Sequence, residues 1–199
     1  MKLKNSFFTT AIGTSGSDKV GYMNTTHQKL YADKINELIG ESPSGVRRGL
    51  FYVGGAMEHH SLGRKFPVEP LQSSSVLIKS QSSVAAWSWA KRIPDISFVT
   101  INANTCASSM YSIFEAWQAI HSGALDEAIV IAEEWTEPLE LLMFKQMGID
   151  IVCGEGFCML HFASLCDQPL AEIESVCFRW LAESSPFGVS EEGYRSVMS

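Results

Sequence analysis

Short apolar runs closed by glycine or turn residues alternate along this chain with segments of helical period, and that alternation restricts the fold more than any other feature. The runs at 7–12, 50–53, 98–103, 128–132 and 157–163 read as buried strands, and 173–180 is a candidate sixth. Leu30, Tyr31, Ile35, Leu38 and Ile39 recur at helical spacing before Gly40, which predicts a helix over 27–39. Residues 82–92, stopped by Pro94, and 139–147 also read as helices, whereas 56–80, with its prolines and serines, reads as irregular. Met110, Ile113, Phe114, Trp117 and Ile120 predict an amphipathic helix closed by Gly123; on that reading Ser108, Ser112, Glu115, Ala116 and Ala119 form its far side. Strands separated by helices predict an α/β architecture, a mostly parallel five-stranded sheet with helices on both faces.

At 199 residues with 46% hydrophobic side chains, the chain is long and apolar enough for one globular core. The expected division is a single domain over 1–185 and a flexible tail over 186–199. A net charge of −7, with lysines and arginines scattered singly, gives no basic stripe for a phosphate backbone, so nucleic acid is not an expected partner. No stretch approaches the ~20 apolar residues of a membrane span, and the expectation is a cytoplasmic protein. The five cysteines, at 106, 153, 158, 166 and 177, show no C-x-x-C pair and are odd in number, which argues for free thiols. His59-His60 reads as an exposed loop pair, so neither a metal site nor a cofactor is implied.

The junction Ile101-Asn-Ala-Asn-Thr-Cys106-Ala-Ser-Ser-Met carries the chemistry, because a buried strand runs through a sharp turn directly into a helix that opens on cysteine. Unpaired N–H groups and the positive end of the helix dipole favour a thiolate there, and the same N–H groups suit an oxyanion on a thioester carbonyl. Acyl transfer onto sulfur is the natural use of such a group. Cysteine is also among the most buried residue types, and spacing alone favours a packing role for Cys106. Cys153, Cys158, Cys166 and Cys177, each in or beside an apolar strand pattern, carry no assigned chemistry.

Asn104-Thr-Cys106-Ala-Ser-Ser, His121-Ser-Gly123 with Asp126, Ala132-Glu-Glu134 and Gly154-Glu-Gly156 occur in an order and spacing that resembles the amino-terminal half of the β-ketoacyl synthases, of thiolase-type fold, over residues 5–182. The resemblance implies that Cys106 stands at the acyl-accepting nucleophile, that Glu134 ends the fourth strand, and that Gly-Glu-Gly precedes the fifth. It also implies a missing second half, which in that family supplies the catalytic histidines. None of His27, His59, His60, His121 or His161 lies in a comparable motif, and His121, about fifteen residues along the helix, stands roughly 22 Å from Cys106.

In that fold the third strand pairs across a dimer axis, which places a partner at Phe98, Val99, Thr100, Ile101, Asn102 and Ala103, an apolar edge without proline or lysine. The expected role is a chain-length-factor-like subunit that pairs with a full-length ketosynthase and shapes its acyl tunnel, as in polyketide, aryl-polyene and fatty-acid-like pathways, meeting an acyl carrier protein only indirectly. Two other readings stay open: an acyl-transferring subunit that uses Cys106, and a non-catalytic homodimeric scaffold.

Overall fold

A computed structural model describes residues 1–12, 25–40, 43, 45–54, 81–103, 107–134, 142, 144–149, 154–177 and 195. In chain order the elements are β1 (Lys2–Ile12), α1 (Thr25–Ile39), β2 (Arg48–Gly54), α2 (Ser82–Ala90), β3 (Ile96–Asn102), α3 (Ser108–His121), β4 (Glu127–Glu134), β5 (Gly154–Ala163) and β6 (Ala171–Glu172). Gly13, Gly16, residues 56–80 with His59-His60, Cys106, Cys153, much of 139–147 and, Arg195 apart, the 186–199 tail lie outside the described residues. Among the described residues no helix is long and apolar enough to cross a membrane.

The strands form one sheet in the order β3-β2-β4-β5-β1-β6. β2 pairs in parallel with both β3 and β4, whereas β5 runs antiparallel to β4 and β1, and β6 antiparallel to β1. Four strands therefore share one direction and two oppose it. Residues 173–177 of the candidate sixth strand form none, and 178–180 lie outside the described residues; Ala171–Glu172 forms a strand instead, against Lys2 and Leu3 at the start of a β1 that begins earlier than its apolar run. Gly154-Glu-Gly156 does not precede β5 but opens it, because the ladder to β1 continues through these residues to Gly154 opposite Ile12.

β2 and β4 are buried on both faces along most of their length, as central strands covered on two sides must be. On one face Leu50, Tyr52, Ile129, Ile131, Phe157 and Met159 meet Ala32, Ile35 and Ile39 of α1 and Ala85, Ala86 and Trp89 of α2. Phe157 stacks on Tyr31 at 4.7 Å between ring centroids and lies 5.3 Å from Trp89, so one ring joins both helices to the sheet. Such pairs add about 0.5–1.5 kcal/mol each beyond the area they bury. On the opposite face Phe51, Ala128, Val130 and Phe162 meet Ala116 and Ile120 of α3. Between Arg48 and Gly49 the β3 partner advances from Ile96 to Phe98, leaving Ser97 as an extra residue whose hydroxyl donates to the Arg48 carbonyl at 3.2 Å.

One polar cluster interrupts the apolar interior, where β2 and β4 begin. Glu127 accepts from Arg48 Nη2 at 2.6 Å and Nε at 3.0 Å, and pairs with Lys4 at 2.9 Å. His161 Nε2 stands 3.2 Å from the same carboxylate. Asn5 Nδ2 donates to the Leu38 carbonyl at 2.7 Å and lies 3.2 Å from His161 Nδ1, which makes Nδ1 the acceptor and leaves the ring proton on Nε2, facing Glu127. Arg48 Nη1 reaches the Pro94 carbonyl at 2.9 Å. Burial pushes the Glu127 carboxyl up, but hydrogen bonds from His161, Lys4 and Arg48 outweigh it and hold the group well below the usual carboxylate range.

A depressed folded-state pKa stabilises above the ordinary carboxylate pKa of about 4.3 and ceases to do so as pH falls through the folded value. Asp126, lowered to about 2 by side-chain and backbone hydrogen bonds from Arg47, acts in the same direction. Glu127→Gln leaves the Arg48 guanidinium buried without its counter-charge, and should cost about 3 kcal/mol near neutral pH. Urea denaturation near pH 7 and near pH 3 checks this: the gap between wild type and variant should narrow on acidification, and a gap that stays constant contradicts it.

Candidate functional site

The carboxyl ends of β2, β3 and β4 lie side by side, with Val53 opposite Asn102 and Gly54 opposite Glu133. Ligands of parallel sheets bind beyond such strand ends. A polar cluster occupies each face here. On the α1 and α2 face, Tyr52 Oη and Trp89 Nε1 both donate to Glu133 Oε1, the latter at 3.4 Å. Burial, reinforced by the Glu133 charge, raises the Tyr52 phenol well above its ordinary value. A side chain at position 54 would meet Tyr52 Oη at 2.7 Å and Glu133 Cγ at 2.9 Å, so glycine is required there by space rather than by conformation.

On the α3 face, the buried Asn102 Nδ2 donates to Ser112 Oγ at 2.7 Å and Glu115 Oε2 at 2.9 Å, and Thr100 Oγ1 donates to the same carboxylate oxygen at 3.4 Å. The end of β3 is thus fastened to the second turn of α3. Cys106 belongs to that elbow in sequence and lies outside the described residues. Ala107, at the N-cap of α3, gives no side-chain cap, and the first turn holds no acidic residue.

The helix packs opposite to the expectation from its large apolar residues. Ser108, Ser112, Ala116 and Ile120 are its buried positions. The first three were expected on the far side. Small side chains let the helix axis approach the sheet closely, and Ile113, partly buried, packs against the same cluster. Met110 is left 59% exposed, and Phe114 and Trp117 are half-covered, Trp117 stacking on His121 at 4.7 Å. His121 ends the helix, far along it from the elbow.

β3 is the edge of the sheet, with β2 as its one neighbour among the described residues. Phe98, Val99 and Ile101 are 47%, 41% and 37% exposed, Ala103 is exposed, Thr100 is half-buried, and Asn102 is turned inward to α3. Cys158 is half-covered in β5, where burial pushes its thiol up. Cys177 is exposed and belongs to no strand, contrary to the pattern around it, and Cys166 lies in the loop after β5. The sequence signal for the polar clusters was available but unread: Arg48, Glu127, His161 and Glu133 are single polar residues at inward slots of otherwise apolar strands.

Among solved structures, the hexaketide-bound ketosynthase complexed with its acyl-carrier protein, the type II polyketide synthase AntDE:AntF, matches with a TM-score of 0.52 at 20% identity, over 73% of this chain and 44% of that one. The ishigamide ketosynthase/chain length factor matches with a TM-score of 0.50 at 17% identity, over 71% and 44%. An oxazolomycin ketosynthase domain from Streptomyces albus JA3453 matches at 0.49 and 20% identity, over 68% and 27%. No family model and no curated protein matches the chain. At these identities the likeness establishes the fold: a thiolase-like, ketosynthase-type sheet and its helices over part of the chain. The chain spans less than half the length of the ketosynthases it matches.

The Asn102 clasp is a local constraint with a measurable strength. Asn102→Ala removes one buried and one partly buried hydrogen bond and leaves the Glu115 carboxylate, among the described residues, with only the long contact from Thr100, which should cost about 1–3 kcal/mol, or roughly 2–12 °C in Tm for a chain of this size. Calorimetry on the variant checks it, and an unchanged Tm contradicts it.

Proposed function

We propose that this chain is a ketosynthase-like partner subunit, of chain-length-factor type, which pairs through β3 with a full-length ketosynthase and shapes the acyl tunnel of the pair. The observation that carries the reading is the bare apolar edge of β3, with Phe98, Val99 and Ile101 open to solvent, beside the exposed apolar back of α3. Long apolar edges invite another strand, and soluble folds seldom leave one uncovered. Half-exposed large side chains on a helix whose small residues face the sheet suit a second layer above it. Both features point to another polypeptide. Two of the fold's solved relatives are complexes of ketosynthases, one with a chain length factor and one with an acyl-carrier protein, which supports a ketosynthase as that polypeptide. Products of polyketide, aryl-polyene or fatty-acid type, made in the cytoplasm, follow from the same reading, with the carrier protein delivering chains to the ketosynthase.

Co-expression with ketosynthases of the same host tests the pairing. A stable heterodimer that Ile101→Lys abolishes, and whose product shortens or lengthens when Phe98 or Val99 is enlarged, supports the reading. The absence of any such complex overturns it.

A second reading, an acyl-transferring subunit with Cys106 as nucleophile, is favoured by its place in the short connection between Asn102, the end of β3, and Ser108, the start of α3, where the positive end of the helix dipole would favour a thiolate or an oxyanion and Ala107 offers no side-chain cap. Iodoacetamide separates it from a packing role, provided the exposed Cys177 serves as the reference rather than the strand thiols. Near pH 6.5 an activated Cys106 should react about tenfold faster than the exposed Cys177. Mass spectrometry of the labelled peptides reads the ratio; equal rates at the two sites remove the enzymatic reading, and a Cys106→Ala chain that still supports product formation leaves only the partner role.

A further inference from the structure

One charge on α3, Glu115, lies beside the edge strand, and among the described residues it has no counter-ion. Glu115 is half-buried beside β3 and accepts only from the neutral donors Asn102 and Thr100; among the described residues no cation pairs with it. A strand added to β3 would cover this carboxylate. Burying a charge without a counter-charge is costly, so an occupant of the edge must bring one.

A second copy paired antiparallel through β3 brings a like charge instead. Antiparallel pairing of β3 with itself sets a two-fold axis normal to the sheet, which keeps both α3 helices on one face. Thr100, the donor to Glu115, would lie about 5 Å from its counterpart at the central register, and the two carboxylates would fall within roughly a Debye length, about 8–10 Å, of each other. Self-pairing thus buries two like charges together.

We infer that Glu115 fixes the chemistry of the partner: β3 takes a strand from a different chain that presents an arginine or lysine opposite Glu115, and disfavours a second copy of itself. This rests on the reading of β3 as a pairing edge, and it is a device for specificity as much as for affinity.

Charge exchange within the same chain tests it without knowledge of the natural partner. Sedimentation equilibrium is run on wild type, on Glu115→Gln and on an equimolar mixture of wild type with Glu115→Lys, at about 50 mM and about 500 mM salt. Glu115→Gln should self-associate about tenfold more tightly than wild type, and the mixture should form mixed pairs about tenfold more readily than either chain pairs with itself, an advantage that shrinks in high salt. Glu115→Gln is isosteric and still accepts from Asn102 and Thr100, so its result stands even where Glu115→Lys does not fold. Association of Glu115→Gln within twofold of wild type overturns the inference. Adding Ile101→Lys separates the two levels: if pairing of Glu115→Gln survives that change, the edge itself is not the contact and the partner-subunit reading falls with it. If Ile101→Lys abolishes pairing while the charge at 115 has no effect, the edge stands and only this inference falls.

Discussion

A carboxylate in the interior holds the base of the sheet together. Glu127 gathers Arg48 from β2, Lys4 from β1 and His161 from β5, and through Asn5 and Pro94 the same cluster reaches the end of α1 and the turn before β3. Apolar packing between helices and sheet is non-directional and would tolerate a sliding of strands; ion pairs among buried groups do not, because every misregistered state leaves a charge without its partner. The register in which β2 meets β4, and hence the alignment of Gly54, Asn102 and Glu133 at the opposite end, is anchored from below.

That opposite end is built differently on its two faces. Toward α1 and α2 the Tyr52, Trp89 and Glu133 groups are sealed beneath helices, a rigid floor. Toward α3, Asn102 divides its amide protons between a hydroxyl and a carboxylate and draws the helix start to the strand end. The outer side of α3, by contrast, is neither floor nor clasp; its large apolar groups remain partly wet because the chain has no layer to lay over them among the described residues.

Much of this was legible in the amino-acid pattern, and the failures share a cause. Apolar runs located β2, β3 and β4 to within two residues, since central strands must be apolar on both faces. The edge position of β3 followed from resemblance, not from its composition, which looks like that of β2. The inward face of α3 was misassigned because periodicity weighs hydrophobicity, whereas close helix-to-sheet approach selects smallness: Ser108, Ser112 and Ala116 fit where Met110 and Phe114 would not. β6 was misplaced because a two-residue strand is defined by its neighbour, here Lys2 and Leu3, and carries no pattern of its own. His161 and Glu127 went unread because a lone polar residue in an apolar run is visible only as an exception, and its partners lie far away in sequence.

The extra residue at Ser97 has a further effect. Ile96 packs with the α1 and α2 cluster, yet Asn102, an even number of residues later, reaches α3 on the other side. In an uninterrupted strand both would point the same way. The bulge therefore acts as a phase change: upstream of it β3 is in step with one layer, and downstream with the other. Loss of one residue at that point would rotate Thr100 and Asn102 toward the wrong helix and deprive Glu115 of both donors while leaving composition almost untouched. Comparisons that run straight through this strand without a one-residue offset would match every position after Phe98 to the wrong side of the sheet.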